Sequence, residues 1–200
     1  MIAHIKGTLE TKAADYVVID VGGLGYKVYI SATGMEKLGN IGDKVKVYTY
    51  YRVREDDISI FGFNTNEELR MFELILSVSG VGAKTAQTIV ALTNPSEFAI
   101  AIISDDISYL TQIPGIGAKS AQRIILELKD KMKKEKSITQ TKNTKVKEAI
   151  VDSNKVEEAI SALQVLGYNK KEIEKAFMKL DKKDLSTEDL IRKGLTILAN

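Results

Sequence analysis

Two stretches of the chain repeat one pattern. SVSGVGAKTAQTIV spans Ser77–Val90 and QIPGIGAKSAQRII spans Gln112–Ile125, with Gly80 and Gly115 set 35 residues apart (115 − 80). Each copy reads helix, then G-x-G-A-K-[ST]-A-Q, then helix. The chemistry this suits is anion binding by backbone amides. Two glycines let the chain turn tightly and approach another surface with no Cβ in the way. The helix that follows presents unpaired N–H groups and the positive end of its dipole, which together suit a phosphate oxygen. The candidate phosphate-binding residues are therefore Gly80, Val81, Gly82, Lys84 and Thr85 in the first copy. In the second they are Gly115, Ile116, Gly117, Lys119 and Ser120, with Arg123 one turn further along the same helix face. Lysines add point charges and hydroxyls add donors, so the design holds a nucleic-acid backbone and reads no bases.

GAKT and GAKS also invite comparison with a nucleotide-binding P-loop. That motif requires G-x-x-x-x-G-K-[ST] after a strand. Here alanine precedes each lysine, the glycine spacing is too short, and a helix leads into each turn. Nucleotide binding at these loops is rejected, and no cofactor or metal is expected. Glu55-Asp56-Asp57 form an acidic run with no histidine or further carboxylate cluster near them in sequence, and read first as a solvated hairpin tip. His4, the lone histidine, reads as structural.

The elements that must carry these residues divide the chain into parts. Residues 1–64 read as β: short Val/Ile/Tyr-rich runs at Tyr16–Val21 and Gly25–Ser31 flank a GGLG turn. From Lys44 to Arg54 the sequence alternates, with Val45, Val47, Thr49, Tyr51 and Val53 on one face. Lys44, Lys46, Tyr48, Tyr50, Arg52 and Arg54 lie on the other, a basic and aromatic face suited to stacking single-stranded bases or to a subunit contact. Five or six such strands with a small helix near Met35–Leu38 suit an OB-like β barrel. Residues 65–134 turn helical, opening at Thr65 or Asn66 and again at Asn94-Pro95-Ser96-Glu97, where Glu97 is placed to complete a capping box. Residues 135–151 are poor in apolar side chains and read as a flexible basic linker. Residues 152–200 hold three helices, starting near Ser153, Asn169 and Ser186, as a small bundle expected to move independently of the rest. Leu163, Leu166, Tyr168, Leu195 and Leu198 exceed what so small a bundle needs, and suit either its core or a docking surface.

Composition narrows the function classes. The chain has no cysteine, which excludes disulfides and thiolate metal sites. No signal peptide and no membrane span are read from it. The net charge of +2 is uneven: 8 − 8 = 0 over residues 1–62, 5 − 8 = −3 over 63–130, 7 − 2 = +5 over 131–150 and 9 − 9 = 0 over 151–200. The positive excess sits in one short stretch, so any nucleic-acid contact made by the folded parts must be local and geometric.

With the paired G-V-G-A-K and P-G-I-G-A-K turns, the barrel, the V-R-E-D run at Val53–Asp56, the charged linker and the three-helix tail, the whole chain resembles the RuvA family. Its members are the Holliday-junction-binding subunits of the bacterial branch-migration complex. The resemblance implies a mixed α and β, multidomain fold: OB-like barrel, two helix-hairpin-helix motifs and a UBA-like three-helix bundle. It implies a non-catalytic, cytoplasmic subunit that binds four-way junctions through phosphates in recombination and repair. The implied partners are the RuvB hexameric ATPase, the RuvC resolvase and further copies of the chain, as a homotetramer or a double tetramer. The barrel's basic and aromatic face would then be a subunit interface, Glu55 and Asp56 an acidic pin at the junction centre, and part of the Leu163/Leu166/Tyr168/Leu195/Leu198 surface a motor-binding site. Two departures stand out: Ala118 occupies a position where the family usually has lysine, and Asp57 adds a third carboxylate. A helix-hairpin-helix glycosylase or nuclease is the rival enzyme, but the region beyond the second hairpin that should carry its catalytic group dissolves into the linker. A single-strand binder using the tyrosine face is the other rival.

Overall fold

The computed structural model describes residues 1–139, 152–180 and 185–198. They divide into two compact units, one formed by Met1–Glu73 with Gly82–Leu92, the other by Leu74–Val81 with the chain from Thr93 onward.

The first unit is a closed five-stranded barrel of β1 (His4–Lys12), β2 (Tyr16–Val21), β3 (Leu24–Tyr29), β4 (Lys44–Val53) and β5 (Ile58–Phe63), in the order β1-β2-β3-β5-β4. Only the β3–β5 pairing is parallel; closure by β1–β4 leaves no free edge. The period-2 pattern explains the core: Val45, Val47 and Thr49 are buried while Lys44 and Lys46 are exposed. The alternation gives out at the strand's end, where Val53 is exposed. The small helix α1 (Ala32–Glu36) starts slightly earlier than expected because Ser31 caps it, accepting from the Gly34 N–H. Helix α2 (Asn66–Leu76) opens with Thr65 accepting from the Glu68 N–H at 3.1 Å. Its Phe72 is fully buried among the rings of Tyr50, Phe61 and Phe63, at centroid distances of 5.2, 5.6 and 4.8 Å. Helix α3 (Ala83–Leu92) is tied to the barrel by Gln87 Nε2, which donates to the Tyr29 carbonyl at 3.2 Å.

The second unit holds α4 (Pro95–Ile103), α5 (Ile107–Thr111), α6 (Ala118–Thr139), α7 (Asp152–Val165), α8 (Lys170–Met178) and α9 (Thr187–Leu198). Asn94 caps α4 through the Ser96 N–H with Pro95 in the first turn. Glu97 does not complete the expected capping box; it accepts from the Tyr109 hydroxyl at 3.2 Å, and burial together with that carboxylate pushes the phenol up to about 12. The reciprocal box forms at Asn169 and Glu172 instead.

Residues 135–139, expected in the linker, continue α6, while 140–151 lie outside the described residues. The bundle is also not separate from the hairpin region. Ala99 of α4 is fully buried in one cluster with Ala159, Leu163, Ile173, Phe177, Leu190 and Ile191, and Ile100 and Ile103 pack against it. The physical reason lies in the sequence PSEFAIAII, which is apolar nearly all round. Phe98 and Ile102 are buried, and the bundle packs on Ala99, Ile100 and Ile103.

Candidate nucleic-acid interface

The two repeats form the same turn. The Val81 N–H donates to the Val78 carbonyl at 3.2 Å, and the Ile116 N–H donates to the Ile113 carbonyl at 3.0 Å. Gly80 and Gly115 stand at the third position of these turns with φ of 81° and 85°. A type II turn demands that left-handed conformation, which glycine adopts without steric cost. Gly82 and Gly117 follow outside the left-handed region, and a Cβ added to either meets nothing within 4 Å. The two glycines of each copy thus do different work: the first makes the turn, the second leaves open space in front of the helix.

This geometry sorts the candidate donors. The Val81 and Ile116 amides close the turns, and the Ile116 side chain is buried. The outward donors are therefore the helix-opening amides from Gly82 and Gly117 onward, which have no intrahelical acceptor. Lys84 is exposed and Thr85 half-buried in the first turn of α3, on the barrel unit. Lys119, Ser120 and Arg123 are exposed at the start of α6. Within the second unit, Ser79, Gly80 and Val81 share one open cleft of about 180 Å³ with Lys119, Ser120 and Arg123. Two cations and no carboxylate line it. Ala118 is exposed and supplies no cation at the position of the family's usual lysine.

Arg123 has a second contact that its sequence position did not reveal. Its Nη1 reaches the Ser79 carbonyl at 3.5 Å. Glu127 Oε2 accepts the Ser79 N–H at 3.0 Å, and Lys131 Nζ donates to the Ser77 carbonyl at 2.8 Å. Reading the repeat as a phosphate site missed Glu127 and Lys131. The signal available was their spacing from Arg123, i+4 and i+8, which places all three on one face of α6.

The acidic tip is a tight turn between Val53 and Ile58, closed by the Arg54 N–H donating to the Asp57 carbonyl at 2.8 Å. Glu55 and Asp56 are exposed at its apex. Asp57 differs from them: its carboxylate accepts from the buried Ser59 hydroxyl and is held to its own strand. Among the described residues no group of three or more potential ligands converges on a metal position. His4 lies exposed in β1, paired with Tyr48 of β4. On the tyrosine face, Lys46 Nζ sits 4.5 Å from the Tyr48 ring centre, while Tyr50 is engaged with Phe72.

Of the tail residues, Leu163, Leu166 and Tyr168 are buried in the bundle core, and Leu195 and Leu198 pack partly buried against it. The first three are thus packing residues in this arrangement, and an outward docking role for them has no exposed surface to use.

A closed OB-type barrel carrying a tandem of helix-hairpin-helix turns with outward helix N-termini defines a DNA-binding protein of the helix-hairpin-helix class. Residues 1–62 match the RuvA N terminal domain, 72–130 the SAM-like helix-hairpin-helix tandem, and 154–199 the RuvA C-terminal domain. Three relatives are each named Holliday junction branch migration complex subunit RuvA. That of Acetivibrio thermocellus is 46% identical over 200 residues, covering 100% of this chain and 99% of its own. Those of Ruminiclostridium cellulolyticum and Clostridium perfringens are 43% and 41% identical, covering 99% of this chain and 100% and 99% of their own. The chain belongs to the RuvA family.

Proposed function

We propose that this protein binds four-way DNA junctions through backbone phosphates as the non-catalytic recognition subunit of a branch-migration complex. The observation that carries this reading is the twice-built turn: the same left-handed glycine, the same closing hydrogen bond, and an open helix N-terminus with an exposed lysine in each copy. Such a site holds a phosphate by amides and charge and contacts no base edge. A four-way junction offers backbones at fixed separations, so shape rather than sequence is recognised. The names of the full-length relatives support the same substrate.

In this reading Glu55 and Asp56 form the acidic pin, repelling phosphates at the crossover and disfavouring plain duplex. The barrel's Lys46/Tyr48 face meets further copies of the chain in a tetramer, singly or as a pair of tetramers. The bundle recruits an ATP-driven RuvB-type motor in the bacterial cytoplasm, and a RuvC-type resolvase acts on the same junction. The motor's footprint falls on the exposed outer positions of α7–α9, because Leu163, Leu166 and Tyr168 are occupied in the core.

Competition binding among single strand, duplex and four-way junction, with a nicking assay alongside, tests the assignment. Preference for the junction without strand cleavage is expected. A protein that preferred single strands would instead be using the tyrosine face, and one that cut would be a nuclease.

A further inference from the structure

The two turns are alike in geometry but differ at one residue. In the second, Ile113-Pro114-Gly115-Ile116, proline occupies the position before the left-handed glycine. Proline there is pre-set for a type II turn and carries no N–H that needs an acceptor. In the first, Val78-Ser79-Gly80-Val81, serine takes that position. It lacks the fixed φ and brings an exposed amide, open to water or to a side-chain acceptor.

Helix α6 supplies both missing functions. Glu127 accepts the Ser79 N–H at 3.0 Å, and Arg123 reaches the carbonyl of the same residue at 3.5 Å, so both backbone polar groups of Ser79 are held. Lys131 donates to the Ser77 carbonyl at 2.8 Å, placing a cation at the C-terminal end of α2. With the 35-residue offset, the first repeat has Thr88, Leu92 and Ser96 where the second has Arg123, Glu127 and Lys131. The charged ladder therefore belongs to one copy alone, and it acts on the other copy's turn. A carboxylate beside a cleft meant for phosphates is unfavourable for binding in itself. Its pairing with a backbone amide gives it a different role.

We propose that Glu127 is a positioning residue for the first hairpin. It stands in for the missing proline, fixing the backbone of the Ser77–Val81 turn on α6 just ahead of the first hairpin's helix-opening amides. This rests on the reading of the hairpins as phosphate sites, but the positioning itself can be measured without DNA.

The test uses the full chain with Glu127→Ala, Glu127→Gln, Ser79→Pro and the double variant Ser79→Pro/Glu127→Ala. Hydrogen exchange of the 77–82 peptide, solution mass, thermal midpoint, and junction affinity across a salt series are measured for each. Glu127→Ala should speed exchange in that peptide and weaken junction binding about tenfold, the order expected for losing a charge-assisted hydrogen bond. The salt slope should stay unchanged, because no cation–phosphate contact is removed. Glu127→Gln, which keeps an acceptor oxygen, should recover binding to within about twofold of wild type. Ser79→Pro should rescue Glu127→Ala, because proline's fixed φ holds the turn without a side-chain acceptor. The proposal is overturned if Glu127→Ala binds as well as or better than wild type, if the double variant stays as weak as the single one, or if the weakening tracks a change in solution mass. A wild-type protein with no junction preference would sink the functional reading instead, while the exchange measurement would still decide the role of Glu127.

Discussion

Gly117→Val separates the two kinds of glycine. A Cβ at Gly117 meets nothing within 4 Å, and the backbone there lies outside the left-handed region. Valine should therefore fit the fold, at a stability cost within about 0.5 kcal/mol, as for other surface changes that touch nothing. The same open space is what a phosphate oxygen needs in order to lie about 2.9 Å from a helix-opening amide. Two γ-carbons placed there exclude it. Losing one hydrogen bond to a charged group costs about 1.5–3 kcal/mol, or roughly tenfold to 150-fold in junction affinity at each hairpin. Gly115→Ala should behave the opposite way. Its φ of 85° forces an L-residue into left-handed backbone at about 1–2 kcal/mol, so the thermal midpoint should fall. Fluorescence anisotropy with a labelled four-way junction and a parallel melting curve distinguish the two. If Gly117→Val melts as low as Gly115→Ala, the second glycine serves the fold after all. If it melts normally and binds normally, the α6 amides do not face the DNA.

Lys119→Ala and Arg123→Ala should each lower the salt slope of junction binding by about one counterion without altering base preference; Arg123→Ala should in addition loosen the Ser77–Val81 turn, read as faster hydrogen exchange there. Glu55→Gln with Asp56→Asn should tighten plain duplex more than the junction at low salt, where repulsion is least screened, and unchanged affinities for both would return that tip to a solvated turn. Alkaline titration followed at the phenolate band should show one of the eight tyrosines ionising near pH 12, lost in Tyr109→Phe. Since the fold raises this phenol, the stability it contributes is complete below the ordinary tyrosine range and declines as pH rises toward about 12. Ala99→Gln should release the bundle from α4, seen as a larger radius in small-angle scattering with the bundle's own melting retained; an unchanged radius would mean that α4 does not hold the bundle in solution.

Much of this protein was decided locally and so could be read from the chain. The alternation over Lys44–Thr49 places its own residues in and out because a strand's period is 2. The caps at Asn94 and Asn169 act within a few residues. The twin turns were legible because their glycines, lysines and hydroxyls lie within a few positions of one another and occur twice. What the sequence left open depends on residues far apart in the chain. Glu97 is spaced for its own helix cap, yet the hydroxyl of Tyr109 from α5 takes it. Leu163, Leu166 and Tyr168 are as apolar as a docking surface requires, and only the packing of three helices and α4 turns them inward. Glu127 looks like an ordinary surface glutamate 48 residues from the amide it holds. Local rules fix which conformation a segment takes and which face is apolar. The partner for a given donor or apolar stripe is set when segments close in space, and no periodicity in the chain records that choice.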